Sequence, residues 1–363
     1  MPPVGRLAGI QVLRGIAAML VTVGHFCLTA VEFGPGGLPA PVREFGLFGV
    51  VGVDLFFCIS GFVMLVALPP GAAGRAGFLV RRFIRIMPMY WLATTALVLL
   101  AVAAGAHRLG TWNALTQPTF APGFILASYL LWPVHSPADG SLQPFLAQGW
   151  TLSYEIYFYL LLALTAWKLD RQAIRATVVA AALAVLWALA RFESLSNAVG
   201  AFLANPIPAE FVMGMAAYLL AQRTSRLGLL ALAGGTAVLL ANFPWPQHRL
   251  VEWGLPSAII VYGLAASEGS LRFPALLARI GDASYSLYLT HGLFTYLFGG
   301  MLKRGFFATP PEQIAVIAAG SAFAILFSLA VYRWIERPLI DSLNARYRRW
   351  MVSGMARDAK SSV

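Results

Sequence analysis

GIQVLRGIAAMLVTVGHFCLTA, residues 9–30, is an apolar run long enough to cross a bilayer, yet it carries Arg14 and His25. An ionisable side chain at membrane depth costs about 2.5–3.5 kcal/mol on insertion scales, so it is rare unless it faces a protein interior or a wet cavity. The two residues are eleven positions apart. That is about three helical turns, so both side chains project from nearly the same face, about 16 Å apart along the axis.

The composition of the whole chain is that of a polytopic membrane protein. Of its 363 residues, 59% are hydrophobic and only 11% are charged, and the mean hydropathy is +0.73. Soluble domains contain about 25% charged residues. The net charge of +11 comes from Lys and Arg placed between apolar runs, where they act as topology signals and do not indicate nucleic-acid binding.

Ten apolar runs of about 17–25 residues predict ten membrane spans. They are 9–31, 46–68, 87–105, 149–167, 175–191, 206–222, 227–242, 250–267, 283–302 and 314–334. The predicted fold class is therefore an all-α, polytopic transmembrane helix bundle. A shorter apolar patch at 120–132 is flanked by proline and is either an interfacial helix or a re-entrant segment.

The basic residues predict the orientation of this bundle. With a cytoplasmic N-terminus, nineteen Lys and Arg residues fall on the cytoplasmic side and six on the other, with Arg14 inside a span. This distribution satisfies the positive-inside rule, so we expect both termini to be cytoplasmic and the protein to cross the inner membrane several times. We expect a membrane-embedded domain at 1–340 and a basic cytoplasmic tail at 341–363 that rests on anionic lipid.

Four ionisable residues are predicted to lie in the outer half of the membrane. They are His25, Asp54, Glu155 and Glu210. Unpaired ionised groups are not left in hydrocarbon, so we expect these side chains to face one another around a polar cavity. A neutral imidazole oriented by a carboxylate is an arrangement that takes a proton from a hydroxyl. His25 is therefore the candidate general base, with Asp54 or Glu155 as its partner.

The inner half is basic instead. Arg14 lies near the cytoplasmic end of its span, and the third span is entered through Arg81, Arg82 and Arg85. Arginine forks bind phosphate oxygens bidentately, which indicates an anionic, phosphate-bearing ligand at the inner mouth. Two alternatives remain: the group at 81–85 could serve only as a topology determinant, and Arg14 could extend its charge to the interface.

Further candidates come from the sequence around these groups. Ser60 precedes Gly61 and is a candidate contact for the same anionic ligand. Candidate substrate-binding residues, in addition to Glu210, are Trp150, Tyr157 and His291. His291 either lines the cavity or is a hydrogen-bonded packing residue.

Two local patterns concern packing. Glycines at 46, 49, 52 and 61 are expected to permit close helix approach. The run Glu336-Arg337-Pro338 predicts the end of the last helix, with a local ion pair. No metal-ligand spacing appears, so we expect no metal and no permanently bound cofactor.

The ordered set of motifs resembles the membrane O-acyltransferases called acyltransferase family 3. The motifs are LRGIAAMLVTVGHF, GVDLFFCISGFVM, RRFIRIMPMYW, QGWTLSYEIYFYLL, PAEFVMGM, SYSLYLTHG and ERP. They occur in order from about Gly9 to Pro338, so the resemblance covers nearly the whole chain.

The resemblance implies an enzyme that takes an acyl group, commonly acetyl from cytoplasmic acetyl-CoA, and passes it to a hydroxyl of a surface or secreted carbohydrate. It implies essential roles for Arg14 and His25, and it matches Glu155 and the arginines at 81–85 to motif positions. Many such proteins carry a C-terminal hydrolase-like domain. The present sequence stops at 363 with a short basic tail, so we expect no hand-off of the acyl group between two domains of one polypeptide. The ninth-span motif often continues as His-Trp-Pro, whereas Leu293 and Phe294 follow here, which weakens a role for His291.

The sequence thus predicts an acyl-CoA-dependent O-acyltransferase whose partners are acyl-CoA, a carbohydrate acceptor and the bilayer. His25 is either the general base or a transiently acylated nucleophile. The alternative is a multi-span transporter of a sugar or small organic solute, because polar residues at depth also describe a carrier.

Overall fold

The computed structural model describes residues 7–67, 72–109, 117–165, 169, 171–192 and 197–361, without the side chains of 72–76, 106–109 and 352–361. This part of the chain is helical and contains no strand. The helices are α1 Ala8–Phe33, α2 Ala40–Gly49, α3 Val51–Ala67, α4 Ala72–Leu109, α5 Pro122–Tyr129, α6 Gly149–Thr165, α7 Gln172–Phe192, α8 Ala198–Leu203, α9 Ala209–Arg223, α10 Gly228–Ala241, α11 Leu255–Ala266, α12 Ala275–Asp282, α13 Ser284–Leu302, α14 Pro310–Val331 and α15 Arg337–Ser361.

Every predicted span contains a helix in the described residues, which confirms the all-α class. In the described part of the chain, five helical stretches are by length and composition able to cross a membrane: Ala8–Phe33, Ala40–Ala67, Gly77–Gly105, Gln172–Phe192 and Pro310–Met351. Shorter apolar helices occupy Gly228–Ala241 and Leu250–Ala266. The chain is therefore a multi-pass helical membrane protein, while the count of ten spans and the cytoplasmic termini stay predictions.

Some of the residues behind the orientation prediction cannot be located. Arg6 and Lys168 lie outside the described residues, as do the side chains of Arg75, Arg108, Arg357 and Lys360.

The apolar patch at 120–132 is a 3-10 turn, Pro118–Phe120, followed by α5. Tyr90 of α4 donates to the carbonyl of Ser128 at 2.7 Å, so this short helix is fastened to a long one.

The expected helix end at Glu336 is wrong. A π-helical turn, Tyr332–Glu336, joins α14 to α15, and the helix continues past Pro338. Glu336 is buried and accepts a hydrogen bond from Ser286, whereas Arg337 approaches Asp341 at 3.9 Å. Pro338 comes directly after the π-helical turn, where the regular α-helical bonding pattern is already interrupted.

Glycine allows the central helices to touch through their backbones, as expected from the sequence. A Cβ on Gly52 would lie 2.4 Å from the carbonyl oxygen of Ala17, so α3 crosses α1 at this point. A Cβ on Gly61 would lie 1.9 Å from the carbonyl oxygen of Phe211, and one on Gly214 would lie 1.9 Å from that of Cys58. Helices α3 and α9 therefore meet with no room for side chains between them.

We expect Gly61→Ala to destabilise the bundle, because the added methyl group forces α3 and α9 apart. Overpacking a core costs roughly 1–3 kcal/mol and occasionally more. The measurement is the yield and thermal midpoint of the detergent-purified protein. Gly300→Ala is the matched control, since a Cβ there meets nothing within 4 Å. Equal midpoints for the two variants would contradict the tight crossing.

Candidate active site

A cavity of about 330 Å³ lies among α1, α3, α4, α6 and α13. Its volume is in the range of small-molecule sites, roughly 300–1,000 Å³. Its polar lining consists of Gln11, Arg14, Ser60, Arg82, Arg85, Thr151, Glu155, Tyr159, Ser284, Tyr285 and Tyr288. Three arginines against one carboxylate make this arginine cavity suited to an anion.

The arginines are positioned by helical geometry. Arg82 and Arg85 are three positions apart and share one face of α4, and both line the cavity. Arg81 is exposed and is not among the lining residues. The buried Nε atoms of Arg14 and Arg82 have no hydrogen-bond partner in the described part of the chain. Buried donors without acceptors are costly, so these two point to a ligand that supplies acceptor oxygens.

Glu155 belongs to the arginine cavity. It accepts hydrogen bonds from Ser60 at 3.1 Å and from the Tyr159 hydroxyl. Arg14 and Arg82 lie within electrostatic range of it. Glu155 is therefore a counter-charge for the arginines, and the structure does not place it as the partner of His25.

His25 is oriented by the backbone and not by a carboxylate. Its Nδ1 lies 2.8 Å from the carbonyl oxygen of Val21, one turn earlier in α1. A carbonyl oxygen only accepts, so Nδ1 carries the proton and Nε2 keeps its lone pair. The side chain is partly accessible. These are the properties of a general base whose tautomer is fixed.

His291 lies next to His25. The centroids of the two rings are 5.1 Å apart, and His291 is fully buried. Its Nδ1 faces the carbonyl oxygen of Leu287 at 3.0 Å, and the side-chain amide nitrogen of Gln148 lies 3.4 Å from its Nε2. Both of its nitrogens are therefore occupied, in contrast to His25.

Tyr288 separates this histidine pair from the arginine cavity. Its ring lines the cavity and lies 5.9 Å from the His291 ring. Its hydroxyl is 2.8 Å from that of Thr151 and donates to the carbonyl of Gln148 at 3.2 Å. Phe56 packs edge-on against it at 5.8 Å. Neither histidine is among the residues that line the cavity, so Tyr288 forms the partition between the two places.

Asp54 is paired with an arginine from a distant part of the chain. Arg249 Nε and Nη2 each donate to one Asp54 oxygen at 2.9 Å, a bidentate pair, and Asp54 is fully buried. Burial lowers the pKa of the Arg249 guanidinium, but the Asp54 charge and hydrogen bonds outweigh burial and raise that pKa above the usual arginine range. Arg249 is therefore charged at every working pH.

Glu210 lies beside this pair. It is fully buried, and both of its carboxyl oxygens lack a donor in the described residues. It contacts Asp54 and the backbone at Gly254. Two carboxyl groups and one guanidinium are electrically balanced when one carboxyl binds a proton.

A second cavity, of about 360 Å³, borders Trp150 at the start of α6 and Arg249, a side that the predicted orientation makes the outer one. We call it the outer pocket, and it is lined by Trp150, Asn205, Pro206, Ile207, His248, Arg249 and Leu250. Tyr157 lies outside both cavities and packs edge-on against Phe202 at 5.6 Å.

The sequence predicts that four ionisable side chains share one chamber. In the structure they lie in three separate places. Glu155 lies with the arginines, Asp54 and Glu210 lie with Arg249, and His25 lies with His291. The inner candidates Arg14, Arg82, Arg85 and Ser60 do share one cavity, without Arg81.

The sequence did not single out Arg249, Gln148 or Thr151 as site residues. Arg249 and Asp54 are 195 positions apart, and no pattern links them. A usable signal was that Arg249 is one of six basic residues on the less basic, outer side.

Comparison with known proteins identifies the family. Residues 7–333 match the family model described as an acyltransferase domain. The chain belongs to acyltransferase family 3. The resemblance inferred from the motifs is confirmed, and the match covers the helices that build both cavities and the histidine pair.

Two curated proteins are similar in sequence to this chain. The chain is 32% identical over 314 residues to exopolysaccharide production protein ExoZ of Rhizobium meliloti (strain 1021), covering 82% of this chain and 92% of ExoZ. It is 29% identical over 274 residues to nodulation protein 10 of Rhizobium leguminosarum bv. viciae, covering 68% of this chain and 72% of that protein. No solved structure matches this acyltransferase chain significantly.

Proposed function

We propose that this protein is an inner-membrane O-acyltransferase that moves an acyl group, in the first instance acetyl, from cytoplasmic acyl-CoA to a hydroxyl of a surface or secreted carbohydrate. Membership of acyltransferase family 3 supports the reaction class. The names of the two relatives, which refer to exopolysaccharide production and to nodulation, support a carbohydrate acceptor.

The observation that carries the proposal is the pair of unpartnered buried arginine Nε atoms in a cavity at the basic end of the bundle. CoA carries phosphate groups, and arginine binds phosphate through charge-assisted, bidentate hydrogen bonds. With the proposed orientation, the arginine end of this cavity belongs to the cytoplasmic half, where acyl-CoA is available. Its apolar lining, which includes Phe56, Phe57 and Met64, suits the rest of the thioester arm.

The proposed chemistry uses the free nitrogen of His25 and places the thioester end of acyl-CoA at the Tyr288 border of the arginine cavity, next to the histidine pair. Nε2 takes the proton of the acceptor hydroxyl, and the resulting alkoxide attacks the thioester carbonyl carbon. The tetrahedral intermediate breaks its C–S bond, so the ester is formed and the CoA thiolate leaves. The thiolate then takes the proton from His25, so that acyl-CoA and alcohol become ester and CoA thiol. Transient acylation of His25 is the alternative order of the same exchange.

An assay on purified protein in liposomes tests this function. We expect transfer of label from [¹⁴C]acetyl-CoA to oligosaccharides from the host's own surface polysaccharide, after removal of their esters with dilute base. Solute flux across the liposome without label transfer would support the transporter instead. Mass spectrometry of surface glycans with and without the intact gene then identifies the acceptor.

We expect Tyr288→Ala to raise hydrolysis of acyl-CoA in the absence of acceptor. Removing the ring opens the partition, so water from the histidine side reaches the thioester. Release of free CoA thiol, measured with a thiol reagent, reports the effect. Tyr288→Phe is the matched control, since it keeps the ring and loses only the bonds to Thr151 and Gln148. Equal hydrolysis by the two variants would contradict the partition.

A further inference from the structure

The outer pocket is built from segments at helix ends, and none of its lining residues also lines the arginine cavity. Trp150 stands at the start of α6, Asn205 precedes α9, and Arg249 precedes the π-helical turn Leu250–Gly254. In the proposed orientation these three segments are at the extracytoplasmic ends of their helices. The cavity of about 360 Å³ therefore opens on the side where a surface carbohydrate arrives.

Arg249 is held in this pocket as a fixed donor. Two of its three guanidinium nitrogens bind Asp54 at 2.9 Å, and its side chain is 29% exposed while that of Asp54 is 0% exposed. Nη1 has no partner among the described residues, so it can donate to a ligand. Because the rotamer is already fixed, a ligand that binds Nη1 does not have to order the side chain.

Charge distinguishes this pocket from the arginine cavity. The charge of Arg249 is compensated by a buried carboxylate, whereas the three arginines that line the arginine cavity have one lining carboxylate between them. A compensated guanidinium gains little from a phosphate but remains a directional hydrogen-bond donor. It therefore suits the hydroxyl and ring oxygens of a neutral polyol better than an anion.

The remaining lining suits a sugar ring. Trp150 is held by edge-on contacts with Phe57 at 6.2 Å and Tyr154 at 5.9 Å, and an indole presents an apolar face with one N–H donor. Asn205 Oδ1 accepts the backbone N–H of Ile207 at 3.0 Å, and its side chain is also hydrogen-bonded to Tyr154, so the amide is fixed in the pocket. Apolar area with a few convergent polar groups is the usual composition of a ligand site.

We propose that the outer pocket is the subsite for the acceptor carbohydrate, with Trp150 as its platform and Arg249 as its fixed donor. Asp54 is then a positioning residue that acts through Arg249, and it is not the partner of His25. This inference rests on the proposed acyl transfer, because it assigns the acceptor of that reaction.

The test measures acceptor and donor KM separately for liposome-reconstituted protein, with the de-esterified host oligosaccharides as acceptor. We expect Arg249→Gln to raise the acceptor KM by about tenfold or more, as for loss of a charged hydrogen bond, with the donor KM unchanged. Arg304→Ala, which removes another exposed arginine on the outer side, is the matched control and should leave both values unchanged.

A double-mutant cycle separates positioning from general stability. Asp54→Asn alone should also raise the acceptor KM, but it should add little in the Arg249→Gln background, because the two residues act as one unit. A rise in donor KM equal to that in acceptor KM, or additive effects, would overturn the assignment.

A direct binding measurement tests the outer pocket independently of the transfer reaction. Fluorescently labelled oligosaccharide is titrated into the same proteins without acyl-CoA. Absence of transfer by the unmodified protein, together with binding that Arg249→Gln weakens, would refute the proposed function and retain a saccharide pocket. Binding that is unaffected by Arg249→Gln and by Trp150→Phe would refute the pocket itself.

Discussion

His25→Ala is expected to lower acyl transfer by about 10²–10⁴-fold, the usual contribution of a positioned general base. The reason is local: Nδ1 is committed to the Val21 carbonyl, and Nε2 is the lone pair that the structure leaves available. Binding of acyl-CoA should be unchanged, since His25 is not among the residues that line the arginine cavity. The measurement pairs label transfer with the Kd for acyl-CoA on the same preparation.

His135→Ala is the matched control, because His135 lies exposed between α5 and α6, where its Nδ1 faces the carbonyl of Gly140 at 2.9 Å. We expect this variant to transfer at the normal rate. Added imidazole should partly restore transfer by His25→Ala if a base alone is missing. Full activity of His25→Ala, or loss of acyl-CoA binding with activity, would contradict the role assigned to this residue.

The arginines of the arginine cavity were predictable as a group because their signals are local in sequence. Apolar runs of sufficient length predict helices, and arginine at the inner end of a run is visible without any tertiary information. The face shared by Arg14 and His25 follows from helical periodicity alone. What periodicity cannot decide is which of three neighbouring arginines faces the ligand, and the structure turns Arg81 away from the cavity.

The surroundings of Asp54 and Glu210 were not predictable because their contacts join residues far apart in sequence. Depth in the membrane correctly suggested that Asp54 and Glu210 need partners, but depth says nothing about the angle around the bundle. Asp54 therefore pairs with Arg249 and not with His25. Similarly, Glu155 points toward the arginines, and the carbonyl of Val21 takes the orienting role expected of a carboxylate.

Arg82→Ala and Arg85→Ala are expected to raise the KM for acyl-CoA by about 10–100-fold each. A hydrogen bond to a charged group contributes roughly 1.5–3 kcal/mol, and removal of either arginine takes such a contact from the phosphate end of the donor. The acceptor KM should change little, because neither residue lines the outer pocket. Initial rates at varied acyl-CoA, with Kd values for CoA itself, measure the effect.

Arg81→Ala provides the internal control, since it removes the same charge from the adjacent position of the same helix without touching the cavity. If the basic cluster served only to set topology, all three substitutions would have the same small effect on donor KM, and any loss would follow the amount of inserted protein. If the arginines bind phosphate, the effect should follow the side of α4 on which each residue lies. A large rise in donor KM for Arg81→Ala would therefore argue against the arginine cavity as the acyl-CoA site.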